Sequence, residues 1–192
     1  MHTNSYLVIA GSTRPMRRSP TIAQWVADLG TALGGEPFRV IDIRNLGLGF
    51  DDEPDIPAAG RDYRSAATRN WSLMVREAKG VVIVTPQYNW GYPAPLKNAI
   101  DHLYREWKGK PVLVVTYGGH GGGKCAAQLR EVLTGMGVAL TETTPGLRIA
   151  RERVEANDGG IDPETDFATE RAGVQDALRE LVALSGAPAN PT

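Results

Sequence analysis

The sequence predicts an α/β fold in which a parallel sheet is covered by helices on both faces. Two observations carry this. Short apolar, β-branched runs recur at residues 6–10, 38–43, 81–85 and 112–116, with a weaker one at 138–141. Each run is continuous rather than alternating, as in strands that are buried on both sides. Helical stripes lie between the runs, so strand and helix alternate five times, which calls for parallel strands joined by right-handed crossovers.

The elements follow in chain order. YLVIA at 6–10 is the first strand, and Ile22, Val26, Leu29 and Leu33 then repeat at the spacing of one helix face. FRVIDI at 38–43 is the second strand, followed by a shorter stripe of Ala67, Trp71, Val75 and Ala78. The third strand, 81–85, leads to Leu96, Ile100, Leu103 and Trp107; the fourth, 112–116, leads to Leu129, Val132, Leu133 and Met136. After the weak fifth strand a last helix is expected to begin at Asp162-Pro163-Glu164, an acceptor side chain followed by proline at the first helical position. It should run through Val174, Leu178 and Leu181. Segments 44–62 and 143–161 read as irregular, the latter around the turn signal Asn157-Asp158-Gly159-Gly160, and 186–192 as a frayed tail. With no repeat and no linker, residues 1–192 read as one domain, long enough to bury a full core.

Composition narrows the function. Twenty-one basic and 22 acidic residues leave a net charge of −1, which gives no broad footprint for nucleic acid or an anionic membrane. No run approaches a membrane span, the N-terminus lacks a signal-peptide pattern, and the single Cys125 excludes an intrachain disulfide, so a cytoplasmic protein is expected. The three histidines share no metal-ligand spacing, no serine-hydrolase elbow is present, and no metal or acid–base catalyst is required. The 22 glycines exceed the roughly 13 expected from average usage. Five of them lie in the stretch 118–123, broken only by His120, a residue suited either to donating a proton or simply to lining the loop.

In a doubly wound sheet, ligands bind at the carboxyl ends of the strands, where the strand order reverses. Three loops therefore matter. The first, GSTRPMRRSPT at 11–21, places Arg14, Arg17, Arg18 and the hydroxyls of Ser12, Ser19 and Thr21 before a helix N-terminus, a composition suited to phosphate. The same residues also fit a plainer pattern, with Ser19 capping the helix, Pro20 at its first position and the arginines solvated. The second loop, at 85–98, carries Pro86, Gln87, Tyr88, Asn89, Trp90 and Tyr92: a stiff aromatic and amide wall for a flat heteroaromatic ring, or else a small aromatic core. The third, Tyr117-Gly-Gly-His-Gly-Gly-Gly-Lys-Cys125, nearly matches a P-loop at Gly118-x4-Gly123-Lys124. That match fails where Cys125 replaces the magnesium-binding Ser or Thr. Otherwise the glycines allow thin backbone close to a ligand.

Taken in order, Gly11-Ser-x-Arg-x-x-Arg-x-x-Pro20, Thr85-Pro-Gln-Tyr-Asn-Trp-Gly-Tyr-Pro-Ala-Pro-Leu-Lys-Asn-Ala-Ile-Asp101 and Tyr117-Gly-Gly-His-Gly-Gly-x-Lys-Cys125 resemble the NADPH-dependent FMN reductase family. Within it the chain is similar to the yeast-type flavin-dependent quinone reductases, over roughly residues 5–140. The resemblance implies a flavodoxin-like fold with strand order 2-1-3-4-5, one FMN per subunit and a homodimer. It implies NADPH or NADH as electron donor and a quinone, free flavin or similar small molecule as acceptor. By position, Ser12, Arg14 and Arg17 would hold the FMN phosphate with help from Ser19. Pro86, Gln87, Tyr88, Asn89 and Trp90 would line the isoalloxazine, with Tyr117, Gly118 and Gly119 approaching it from the fourth strand. Arg17-Arg18-Ser19 stands where the commonest family pattern has Ser directly followed by a helix-starting Asn, which leaves open which of the three meets the phosphate. Two other functions fit parts of the sequence: a flavodoxin-like electron carrier or redox sensor with no substrate of its own, and a nucleotide triphosphatase built on the third loop.

Overall fold

The computed structural model describes residues 5–50 and 53–186. The strands β1 (Tyr6–Ala10), β2 (Phe38–Asp42), β3 (Val81–Pro86), β4 (Pro111–Gly118), β5 (Ala139–Leu140) and β6 (Gly146–Arg148) form one parallel sheet. Its order is β2-β1-β3-β4-β5, with β6 also paired to β4. The described helices are α1 (Ser19–Thr31), α2 (Ala66–Glu77), α3 (Ala94–Asp101), α4 (Gly123–Gly135), α5 (Arg151–Ala156), α6 (Pro163–Asp166) and α7 (Arg171–Gly186). Because β1 sits between β2 and β3, the order reverses beside it, and the crevice for a ligand opens at the carboxyl ends of β1, β3 and β4. Among the described residues no helix is long and apolar enough to cross a membrane.

The continuous apolar runs are explained by two cores, one on each face. Tyr6, Val8 and Ala10 pack with Ile22 and Val26 of α1 and with Leu178 and Leu181 of α7. Leu7 and Ile9 point the other way, into a core with Trp71 of α2, Ile100 of α3 and Leu129 of α4. Each such buried side chain contributes about 1.5–3 kcal/mol relative to exposure, so the inner strands β1 and β3 are buried along their whole length, whereas the edge strand β2 exposes Arg39. Close approach of α1 to the edge strand needs Gly30, where a Cβ would lie 2.7 Å from the Phe38 ring.

The structure departs from the sequence-based expectation in four places. The fifth strand is split: β5 pairs with the start of β4 and β6 with its end, and residues 142–145 loop out between them. That detour is held by side chains, because Arg130 donates to the Thr141 carbonyl at 2.7 Å while the Glu180 carboxylate accepts from the Thr143 N–H at 3.2 Å. Helix α3 ends at Asp101, not beyond Trp107. Leu103 and Trp107 stay buried in the turns that follow, and the Trp107 indole donates to the Ile100 carbonyl at 3.1 Å, one of the acceptors a helix end leaves open. The last helix is broken into α6, capped by Asp162 as expected, and α7, with buried Phe167 packed against Trp25 between them. Finally, the segment expected to be irregular at 143–161 contains β6 and α5. Gly186 ends α7, and the rest of the expected tail lies outside the described residues.

Candidate functional site

At the carboxyl ends of the strands lies a cavity of about 240 Å³, lined by Arg14, Met16, Arg17, Arg18, Pro86, Gln87, Tyr88, Tyr117, Gly118, Gly119, Ile149, Val154 and Asn157. Three loops converge there, each following the strand that the sequence singled out. A larger cavity of about 300 Å³ is lined by Glu53, Asp55, Asp101 and His102 among others. Its carboxylates would repel a phosphate, and it has no aromatic wall. The smaller cavity, at the reversal of strand order, has the better chemistry.

The arginine loop is ordered by contacts within the protein. Arg17 forms an ion pair with Asp42 at the end of β2, both side chains being largely buried. Its Nε is buried with no hydrogen-bond partner, an unsatisfied donor that costs about 1–3 kcal/mol unless something supplies an acceptor. Arg14 lies flat over the Tyr88 ring, its guanidinium carbon 3.5 Å from the centroid. Arg18 turns away toward residues 153–160, donating from Nε to the Gly160 carbonyl at 3.1 Å.

Ser12 and Ser19 stand fully buried behind the cavity wall. The Ser12 hydroxyl shares a 2.8 Å hydrogen bond with Tyr88, and the Ser19 hydroxyl a 2.6 Å bond with Tyr117. Each serine thereby fixes an aromatic wall residue, Tyr88 in the loop after β3 and Tyr117 on β4. Ser19 does not cap α1, whose first turn has no side-chain cap and carries Pro20. Burial holds the Tyr117 phenol above its ordinary value, so it stays protonated at neutral pH.

In the β3 loop, the Tyr88 N–H donates to the Gly91 carbonyl at 2.8 Å and the Gly91 N–H returns a bond at 3.0 Å. Asn89 and Trp90, between them, both have positive φ, 48° and 74°, the geometry of a primed turn. Trp90 is 65% exposed, with the Lys124 ammonium 4.9 Å from its ring. Asn89 and Trp90 therefore sit outside the cavity lining, whereas Pro86, Gln87 and Tyr88 form part of it. His120 is exposed and does not line it.

The glycine loop divides into two parts. Gly118 and Gly119 line the cavity, and a Cβ on Gly119 would meet nothing within 4 Å. Gly121 and Gly122 have φ of 74° and 82°, and a Cβ on Gly122 would lie 2.7 Å from Thr116. These two serve the turn into α4. A P-loop would bind phosphate at that helix start, but the Gln87 side-chain oxygen already accepts from the N–H groups of Lys124 and Cys125, at 3.1 Å each. The Cys125 thiol is buried and pushed up to about 12 by desolvation, so it is no nucleophile at neutral pH. Among the described residues no group of three or more His, Cys, Asp or Glu is placed to hold a metal ion.

Eight of the twelve expected site residues line the cavity: Arg14, Arg17, Pro86, Gln87, Tyr88, Tyr117, Gly118 and Gly119. Sequence reasoning missed Met16, Ile149, Val154 and Asn157. Only Asn157 carried a signal, the turn motif it opens, where it adopts φ 46°.

Comparisons with known proteins point to one family. A family model described as NADPH-dependent FMN reductase matches residues 5–147. An NAD(P)H-dependent FMN reductase of Schizosaccharomyces pombe is 42% identical over 183 residues, covering 95% of this chain and 90% of its own length. An NAD(P)H-dependent FMN reductase of Saccharomyces cerevisiae is 48% identical over 141 residues, covering 67% of this chain and 73% of its own. Among solved structures, the flavoenzyme NAD(P)H:(acceptor) oxidoreductase of Paracoccus denitrificans superposes with a TM-score of 0.69 at 23% identity, covering 94% of this chain and 98% of that one.

Proposed function

The chain belongs to the NADPH-dependent FMN reductase family, and on that premise we propose that it is an oxidoreductase passing electrons from NADPH or NADH, by way of bound FMN, to a quinone, a free flavin or a similar small acceptor. The observation that carries this is the convergence of an arginine-rich loop, an aromatic loop and a thin glycine backbone on one cavity at the reversal of strand order. FMN bound there would supply the redox chemistry that links oxidation of the nicotinamide to reduction of the acceptor.

The residues present suit that group on two counts. The buried Nε of Arg17 is a donor lacking an acceptor, which a phosphate would provide. The open space beside Gly119 lets a ring approach the main chain. On this reading Arg14 and Arg17 hold the phosphate with Ser12 and Ser19 beside them. Pro86, Gln87 and Tyr88 line one side of the ring, with Asn89 and Trp90 in the turn beyond the cavity lining placed to meet its open edge, and Tyr117, Gly118 and Gly119 line the other. At about 240 Å³ the cavity is smaller than the roughly 300–1,000 Å³ of enclosing ligand sites. A bound flavin would keep part of its surface open to donor and acceptor in turn and to solvent, which would supply the proton that accompanies each hydride.

The near-neutral charge supports a small-molecule partner rather than nucleic acid or a membrane surface. We place the protein in the cytoplasm, as one FMN-binding domain over residues 1–192 and as a homodimer. An apolar groove lined by Ile56, Leu103, Tyr104, Val132 and Met136 supports the last point. The test is the visible spectrum of the purified protein under anaerobic conditions. A flavin spectrum bleached by NADPH and restored by added quinone is expected. A colourless protein, or a bound flavin that NADPH leaves oxidised, overturns the proposal.

A further inference from the structure

We propose that residues 149–157 form an additional wall of the FMN site, and that Arg18 is the positioning residue holding this wall in place, rather than a ligand of the FMN phosphate. The proposal rests on the FMN reading above and deepens it, because the family match ends at residue 147 and this wall begins at Ile149.

Arg18 stands in the phosphate-type loop, yet its donors point into a single segment elsewhere. Nε donates to the Gly160 carbonyl at 3.1 Å, and Nη2 donates to the Arg153 carbonyl while standing 3.8 Å from the Asp158 carboxylate. The guanidinium is a rigid planar fork. Committed through Nε and Nη2 to two main-chain carbonyls of one segment, it fixes the position of that segment.

The segment has few other reasons to stay where it is. Helix α5 has six residues and buries none of them, so neither its length nor apolar packing stabilises its position. Ile149 is fixed at the start of the segment by burial in the core and by its N–H bond to the Gly118 carbonyl at 2.9 Å; beyond it the described side-chain anchors are polar: Arg18, and the Arg153 ion pair with Asp166 at 3.3 Å. Gly159 follows closely on the main chain of Met16, where a Cβ would lie 3.5 Å from the Met16 carbonyl carbon.

What the anchored segment presents to the cavity is Ile149, Val154 and Asn157. Val154 is 48% exposed, and Met16, on the arginine loop, is 50% exposed. Two large apolar side chains from separate segments are thus half open at one cavity, surface that a bound cofactor would cover. Releasing Arg18 should loosen this wall against any flavin, with or without a phosphate.

The test compares FMN with riboflavin, which lacks the phosphate. Full-length wild type, Arg18→Ala and Arg18→Lys, each freed of flavin, are titrated with both by flavin fluorescence, and amide exchange is followed over residues 150–160. In both variants the Kd for FMN and for riboflavin should rise by a similar factor, about tenfold, and these amides should exchange faster. Lysine keeps the charge but cannot span both carbonyls, and it carries the comparison should the alanine variant fail to fold. A loss confined to FMN would make Arg18 a phosphate ligand and overturn the proposal. So would wild-type affinities in either variant. A wild type that binds neither flavin would overturn the FMN reading itself, a separate outcome.

Discussion

Trp90 holds φ 74° while leaving 65% of its surface in water. A non-glycine residue in that region costs about 1–3 kcal/mol, and its contact with Lys124 returns only about 0.5–1 kcal/mol at an exposed site. Burial does not explain the indole. Trp90→Gly relieves the strain and gives up the contact and some chain entropy, and these effects roughly offset. Stability should stay within about 1 kcal/mol of wild type, while kcat/KM shifts unequally across a series of quinones. Thermal melts and steady-state kinetics check the two halves, and identical kinetics would remove Trp90 from the site. Arg14 is a different case, since its guanidinium lies over the Tyr88 ring beside the cavity. Arg14→Ala should weaken FMN about ten- to hundredfold, the range of a charge-assisted hydrogen bond, and a fluorescence titration measures it. The residue types at this scale were plain in the sequence. Their partners were not: Asp42 beside Arg17, Tyr88 beside Ser12 and Tyr117 beside Ser19 lie 25, 76 and 98 positions away along the chain.

Among the elements, the glycine loop between β4 and α4 shows how one sequence feature can serve two physical ends. Gly122→Ala places a Cβ 2.7 Å from Thr116 at φ 82°, and stability should fall by about 2 kcal/mol or more. The denaturant midpoint would drop with its slope unchanged. Gly119→Ala meets nothing within 4 Å, so stability should hold while the added methyl narrows the cavity and FMN affinity falls. Equal destabilisation by both would mean that the loop is structural throughout. Strand positions and buried stripes were legible because burial on both faces forces continuous apolar runs. Where elements end was less legible. Helix α3 stops at Asp101 although its apolar spacing continues through Leu103 and Trp107, and at its end the Trp71 and Trp107 indoles donate to the Ala99 and Ile100 carbonyls at 2.7 and 3.1 Å. No local pattern announces side chains arriving from elsewhere.

For the molecule as a whole, a net charge of −1 gives no long-range pull on an anion, and the arginines by the cavity are partly neutralised by Asp42 and Asp158. Association of FMN should therefore respond weakly to ionic strength. Its on-rate should change by less than about tenfold between low and high salt, the low end of what electrostatic steering produces. Stopped-flow fluorescence would show this, and a steep salt dependence would reveal a surface field that the charge balance hides. The sequence by itself determined the layered parallel fold, the three loops that meet at the cavity and the family, because strand burial and loop chemistry are written in contiguous residues. Only the tertiary structure decided that α5 closes one side of the cavity, that Arg18 faces that helix while Arg17 keeps an unpartnered donor, and that Gln87 fills the start of α4 where a phosphate cradle was conceivable. Each of those outcomes depends on which distant groups meet, and a hydrogen bond is decided by distance and direction in space rather than by order along the chain.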